Sequence, residues 1–223
     1  MEVIVKNVKK EFYRKSKESN VFTAVDTCSM ELRANQFVII KGRSGSGKST
    51  LMNMMSGILQ PTEGEILYDG EDLYKKKDEE LSKFRNETIG YIPQGKSAIA
   101  SLNVLENILL PDLLFGSRDE DNAIQKMEQF DILSLKDAMP EELSGGELRR
   151  MSIVRALIKN PKVIFADEPT GDLDDENTKL VFDMLRKIAD EGTAVLVVTH
   201  DAEADEYADV IYRMNAGKLI QEK

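Results

Sequence analysis

Three short runs, Gln36 to Lys41, Lys162 to Asp167 and Thr193 to Thr199, are dominated by Val, Ile, Phe and Leu with little polar alternation. Such runs predict strands buried on both faces, the condition of a parallel sheet covered by helices. Glu2 to Val8, Val21 to Leu32 and Gly64 to Asp69 read instead as half-buried strands, with turns at Arg33-Ala34-Asn35 and Pro61-Thr62-Glu63. Asp209 to Met214 and Lys218 to Gln221 flank Asn215-Ala216-Gly217, a hairpin turn. Together these half-buried strands predict an antiparallel layer beside a parallel core.

Between Gln94 and Asn160 the strand pattern stops. Leu102 to Leu114 has apolar residues at helical spacing, Arg118 to Phe130 repeats this behind a cap at Ser117, and a helix after Gly146 ends at Asn160-Pro161. The expected organisation is an α/β core with its antiparallel layer in residues 1–93 and 161–223, interrupted by a helical subdomain over 94–160. Ile92-Pro93-Gln94-Gly95 and Asn160-Pro161 are turn-like and would act as hinges. Lys75 to Lys77 reads as a solvated charge cluster.

Composition narrows the function. A length of 223 residues suits one compact unit with an inserted lobe. The longest apolar runs, Phe37 to Ile40 and Ala194 to Val198, fall far short of the roughly 20 residues that span a bilayer, and no secretory signal opens the sequence. The chain is therefore expected not to insert into a membrane by itself. A net charge of -10 argues against nucleic acid as the main partner, and a single cysteine, Cys28, fits a reducing compartment such as the cytosol.

Directly after the apolar run Phe37 to Ile40 comes Gly42-Arg43-Ser44-Gly45-Ser46-Gly47-Lys48-Ser49-Thr50, followed by a helical pattern. Strand, glycine loop and helix arrive in the order of a phosphate-binding loop. Its amides can point inward at phosphate oxygens, aided by the positive end of the helix. Lys48 is then expected at the β- and γ-phosphates and the Ser49 hydroxyl on magnesium. Val163-Ile164-Phe165-Ala166 ends in Asp167-Glu168, whose neighbouring side chains point to opposite sides of a strand. Taken alone, the pair could be solvated strand-end acids. Beside a phosphate loop, Asp167 becomes a partner of Ser49 for magnesium and Glu168 a polariser of the attacking water.

Leu143-Ser144-Gly145-Gly146-Glu147 is a second helix start able to receive an anion. With this segment the chain resembles the nucleotide-binding subunits of ABC transporters. The resemblance spans the phosphate loop, Gln94 after Ile89 to Ile92, the LSGGE segment, Asp167-Glu168, Gly171-Asp172-Leu173-Asp174, and His200 after Val195 to Thr199. It implies a P-loop NTPase core of RecA-like type and a head-to-tail dimer with two ATP molecules between the copies. Each nucleotide would meet Gly42 to Thr50 of one copy and the Ser144 to Glu147 signature of the other. Gln94 would contact magnesium and the attacking water, Asp174 would link the two sites, and His200 would reach the γ-phosphate. Phe12 matches the position of the adenine-stacking aromatic, with Tyr13 beside it as the alternative.

The same resemblance implies a membrane permease as separate partner and a location at the inner face of the membrane. Leu105 to Pro111 and Thr170 to Asp174 look like the subgroup serving lipoprotein release, macrolide export and antimicrobial-peptide resistance. Two positions depart from the family: Arg43 stands where many relatives have proline, and Gly95-Lys96-Ser97 replaces an aromatic segment after Gln94. A regulatory ATPase acting on a non-transporting membrane partner would need the same machinery. A small nucleotide kinase would leave the LSGGE segment, Gln94 and His200 unexplained.

Overall fold

The computed structural model describes residues 1–13, 21–171 and 173–223. Its strands are β1 (Glu2–Tyr13), β2 (Val21–Arg33), β3 (Phe37–Lys41), β4 (Glu63–Tyr68), β5 (Glu71–Asp72), β6 (Ile89–Ile92), β7 (Val163–Asp167), β8 (Ala194–Thr199), β9 (Val210–Asn215) and β10 (Lys218–Gln221). The helices are α1 (Lys48–Met55), α2 (Asp78–Thr88), α3 (Val104–Leu113), α4 (Glu120–Gln129), α5 (Gly145–Leu157) and α6 (Asp175–Asp190).

A six-stranded sheet in the order β10-β9-β3-β8-β7-β6 forms the centre. β3, β8, β7, β6 and β9 run parallel, with Phe37 opposite Val195, Ala194 opposite Val163, and Ile89 opposite Val163 on its other side. The apolar runs end up here because both sheet faces are covered. Phe165, Leu196 and Val198 pack toward α1, whereas Ile164, Val195 and Val197 pack toward α5 and α6. A four-stranded antiparallel sheet, β2-β1-β4-β5, closes over α1 and the first of these faces. Parallel register brings the C-terminal ends of β3, β7 and β8 side by side, where loops leaving an α/β sheet bind ligands.

Among the described residues no strand occurs between Ile92 and Val163. There α3, α4 and α5 share a core of Val104, Ile108, Ala123, Met127, Met151 and Val154. The α3 start is later than the apolar spacing indicates, because Asn103 accepts from the Glu106 amide at 2.8 Å while Glu106 Oε2 accepts from the Asn103 amide at 2.9 Å. Ser117 is not the cap of α4. Its hydroxyl donates to Asp112 at 3.3 Å, and Asp119 caps the helix by accepting from the Asn122 amide at 3.0 Å.

Two further expectations change. β9 and β10 extend the parallel sheet at its edge, β9 pairing parallel with β3, instead of joining the antiparallel layer. Of the Lys75 to Lys77 segment leading into α2, Lys75 and Lys77 are exposed as expected, whereas Lys76 pairs with Glu71 at 3.0 Å and lies 5.3 Å above the Phe84 ring, so its stem is packed.

Candidate functional site

The loop Gly42 to Gly47 turns the end of β3 into the start of α1. Gly47, with φ 109°, is the residue before the helix, in a backbone region that disfavours side chains. Lys48 is buried and folds back across the loop, its Nζ donating to the carbonyls of Gly42 at 2.8 Å and Arg43 at 3.2 Å. One helical position later Ser49 Oγ donates to Asp167 Oδ1 at 3.1 Å, so adjacent residues of α1 meet the loop and the end of β7.

Burial pushes the Asp167 carboxyl above its ordinary 3.8, opposed by the Ser49 hydrogen bond and reinforced by the neighbouring Glu168 charge. A carboxylate and a hydroxyl oxygen held this close form a hard-oxygen donor set that fits magnesium, and a cation there would offset the desolvation of Asp167. Tyr91, which donates to Asn53 at 2.9 Å, is pushed up to about 12 by burial and by the same Asp167 charge.

Glu168 sits just past β7 with φ 46°, a left-handed conformation unusual for a residue with a long side chain. Its amide donates to Val198 O at 2.8 Å, tying it to β8. The carboxylate is only 13% exposed and meets His200 Nδ1 at 2.9 Å, while the His200 ring is 77% exposed. The same carboxylate receives the His200 amide at 3.4 Å.

Lys48, Ser49, Glu168 and His200 border one cleft of about 720 Å³, lined also by Gly42 to Gly45, Gly47 and Thr50 of the phosphate loop, by Gln94, and by Phe22 and Ala24 of β2; Asp167 lies behind Ser49 and does not line it. Phe22 carries no local sequence signal of a role at this cleft. It is the cross-strand neighbour of Phe12, both are 38% exposed, and of the pair it is Phe22 that borders the cleft. Period-two alternation placed β2 correctly, and a cross-strand pairing with the candidate stacking residue was the missing signal. Tyr13 stands opposite Val21 and is 81% exposed.

The signature residues do not border this cleft. Ser144 caps α5 in a reciprocal box with Glu147: Glu147 Oε2 accepts from the Ser144 amide and hydroxyl, both at 2.7 Å, and Ser144 Oγ accepts from the Glu147 amide at 3.3 Å. The Ser144 hydroxyl and amide hold the Glu147 carboxyl below its ordinary 4.5. Gly145 and Gly146 are the first residues of the helix. Asp174 caps α6 and accepts from the Asn177 amide at 2.8 Å, which lowers its carboxyl below the ordinary 3.8. Asp172, in the same segment, lies outside the described residues.

Helix α5 also anchors the segment that carries Gln94. Arg149 donates to Pro93 O at 3.0 Å, and Arg155 donates to Ser97 O at 3.0 Å and Ser97 Oγ at 2.6 Å. Gln94 lies between those two anchor points.

The ABC transporter family profile matches residues 25–171. The lipoprotein-releasing system ATP-binding protein LolD of Buchnera aphidicola subsp. Schizaphis graminum is 36% identical over 97% of this chain and 95% of its own length. The macrolide export ATP-binding/permease protein MacB of Chlorobaculum tepidum is 34% identical over 92% of this chain, which matches 32% of that longer protein. Among solved structures, the dimeric ATP-binding cassette MJ0796 superposes with a TM-score of 0.89 at 34% identity, covering 99% of this chain and 98% of its own. The same cassette has been solved as a dimer in a post-hydrolysis state bound to ADP and Pi, with the same TM-score. A phosphate loop facing an acidic strand end, on a cassette fold matched along nearly its whole length, makes this chain a member of the ABC transporter family, an ATP-binding and ATP-hydrolysing cassette.

Proposed function

We propose that two copies of this chain close head to tail around two ATP molecules, each nucleotide held by the phosphate loop of one copy and the signature helix start of the other. The observation that carries this reading is the division of the anion-binding groups: one helix start, at Lys48, opens on the cleft, whereas Ser144 to Gly146 lie outside it. A second copy would bring that second helix start to the cleft's open side. The dimeric state of the similar cassette MJ0796 supports the same arrangement.

Within each site Gly42 to Gly47 would present backbone amides to the phosphates, and Lys48 would exchange its loop carbonyls for β- and γ-phosphate oxygens. Ser49 and Asp167 would hold magnesium, with Gln94 at the same side of the cleft; when bound, the ion neutralises phosphate charge. Glu168 would accept a proton from the water whose oxygen attacks the γ-phosphorus. The bond from that phosphorus to the bridging oxygen breaks, and ADP departs with the electron pair. His200 would fix the Glu168 carboxylate, its partner at 2.9 Å, and face the γ-phosphate. Phe12 or Phe22 would stack on the base. Asp174, at the start of α6, would lie at the seam between copies.

We infer further that residues 94–160 move as a helical lobe on the core formed by 1–93 and 161–223, with Gln94 reporting nucleotide state to it. The partner driven by this motion would be a separate membrane permease of the lipoprotein-release or macrolide-export kind, placing the cassette at the inner face of the membrane. A groove of about 340 Å³ between α2, β6 and the lobe, lined by Tyr91, Leu110, Pro111, Leu114 and Phe115, offers the apolar surface such a partner needs. Among the described residues no helix is long and apolar enough to cross a membrane.

The test uses Glu168→Gln with magnesium and ATP. Sizing chromatography is expected to show an ATP-dependent dimer; a monomer at saturating ATP would refute the sandwich. Reconstitution with the co-purifying permease and a flux assay then separates transport from a purely regulatory role.

A further inference from the structure

The turn joining β9 to β10 lies against the phosphate loop, although about 170 residues separate them in sequence. The Gly217 amide donates to Ser46 O at 2.9 Å. The Gly217 carbonyl accepts from the Asp26 amide of β2 at 2.8 Å and from Cys28 Sγ at 3.1 Å. One residue therefore bridges the antiparallel layer and the loop. β9 and β2 both approach the same loop closely: a Cβ on Gly42 would lie 2.2 Å from Met214 O, and one on Gly47 would lie 2.2 Å from Ala24 O. Ser46 Oγ is buried in this contact zone with no hydrogen-bond partner among the described residues.

We propose that the Gly217 residue is a positioning element for nucleotide binding, setting the orientation of the Ser46–Gly47 peptide in the phosphate loop. The proposal rests on that loop holding ATP phosphates. A trans peptide is planar, with its C=O and N–H directed oppositely. Fixing Ser46 O on the hairpin turn therefore aims the Gly47 N–H away from the hairpin. That direction is the one a loop amide must take to meet an anion on its open side. β2 enters twice, carrying Phe22 and Ala24 on the cleft wall and, through Asp26 and Cys28, the contacts that seat Gly217. The loop is thereby indexed to the strand beside which the nucleotide lies, with the hydrogen-bonded turn as the spacer.

The experiment compares Gly217→Ala with Gly70→Ala. Both glycines occupy left-handed backbone, φ 81° and 87°. A Cβ on Gly217 would come to 3.2 Å from Ala24 O and the Asp26 amide, whereas one on Gly70 would meet nothing within 4 Å. Backbone strain is thus matched, and only the first variant disturbs the contact. Calorimetric binding and steady-state hydrolysis are expected to show the ATP Kd and KM of Gly217→Ala raised about tenfold with kcat at saturation within about twofold, and both unchanged in Gly70→Ala. Equal affinity in Gly217→Ala and the parent chain overturns the proposal, as does an equal loss in the two variants. Should Gly217→Ala not fold, Cys28→Ala removes one bond to the turn and Cys28→Ser retains a donor. A rise of about twofold to threefold in Kd for the alanine variant, restored by serine, is expected; indistinguishable values in all three chains overturn it. Failure of the parent chain itself to bind ATP would instead strike at the phosphate-loop reading.

Discussion

Glu168 and Asp167 are adjacent in sequence and meet different partners because the strand end separates them, which suits the different roles proposed for them. Asp167 is still within β7 and faces Ser49, while Glu168 has already turned into left-handed backbone and faces His200. Replacing Glu168 by Gln keeps the shape and removes the proton acceptor, so kcat is expected to fall roughly 10²- to 10⁴-fold with ATP affinity retained, as single-turnover kinetics will read. Asp167 has the opposite signature in the free chain. Burial raises its folded pKa above 3.8, so the folded state holds the proton to higher pH than the unfolded state. Stability therefore declines as pH rises through the interval between 3.8 and the folded value. Asp167→Asn is expected to remove that slope and raise the melting temperature of the nucleotide-free chain, while magnesium-dependent hydrolysis is lost. Melting curves across the acid range, beside an activity assay, check both signs. Phe22→Ala and Phe12→Ala should rank the two rings: loss of the stacking one costs about 1 kcal/mol, a several-fold rise in ATP Kd by calorimetry. The carboxylates were legible in the sequence because an apolar run stops at them. Phe22 was not, because its place beside Phe12 follows from strand register.

At the scale of elements, α5 binds the segment around Gln94 to the signature. Arg149 and Arg155 hold Pro93 and Ser97, and Ser97 Oγ lies 3.3 Å from Ser152 Oγ on the same helix. Gly95-Lys96-Ser97 follows Gln94, and here a serine meeting a guanidinium supplies the anchorage. Ser97→Ala removes a charge-assisted bond of about 1.5–3 kcal/mol, so kcat is expected to drop several-fold with little change in ATP Kd. Equal kcat in the two chains would show that the anchorage is dispensable. Which elements the sequence discloses follows their burial. β7 and β8 are buried throughout and β3 at every position but Lys41, so they stand out as apolar runs. α2 buries only Leu81 among Asp78-Glu79-Glu80-Leu81-Ser82-Lys83, so its periodicity is drowned by surface charge. The hairpin of β9 and β10 was visible, but its pairing with β3 is a contact between distant segments that local pattern does not carry.

For the whole molecule, the order of motifs along the chain disclosed the family, and the sheet shows how they meet: adjacent parallel strands deliver the phosphate loop, Asp167 and His200 to one edge. Under the proposed dimer, hydrolysis per chain should rise with protein concentration at fixed saturating ATP until dimerisation saturates, a dependence that dilution series will reveal. A flat specific rate across the series would mean that one copy suffices.

The placement of Ser144 to Gly146 outside the chain's own cleft also bears on how damage would be inherited. Under the proposed dimer, a chain with a broken signature would keep its own phosphate loop whole and spoil the cleft of whichever copy it meets, while a chain with a broken phosphate loop would spoil only its own. In a mixture the two lesions would complement each other at one of the two clefts and leave the other doubly defective. Copies with a broken signature would thus act as poisons in proportion to their abundance, and selection on that segment would be judged through the neighbouring copy.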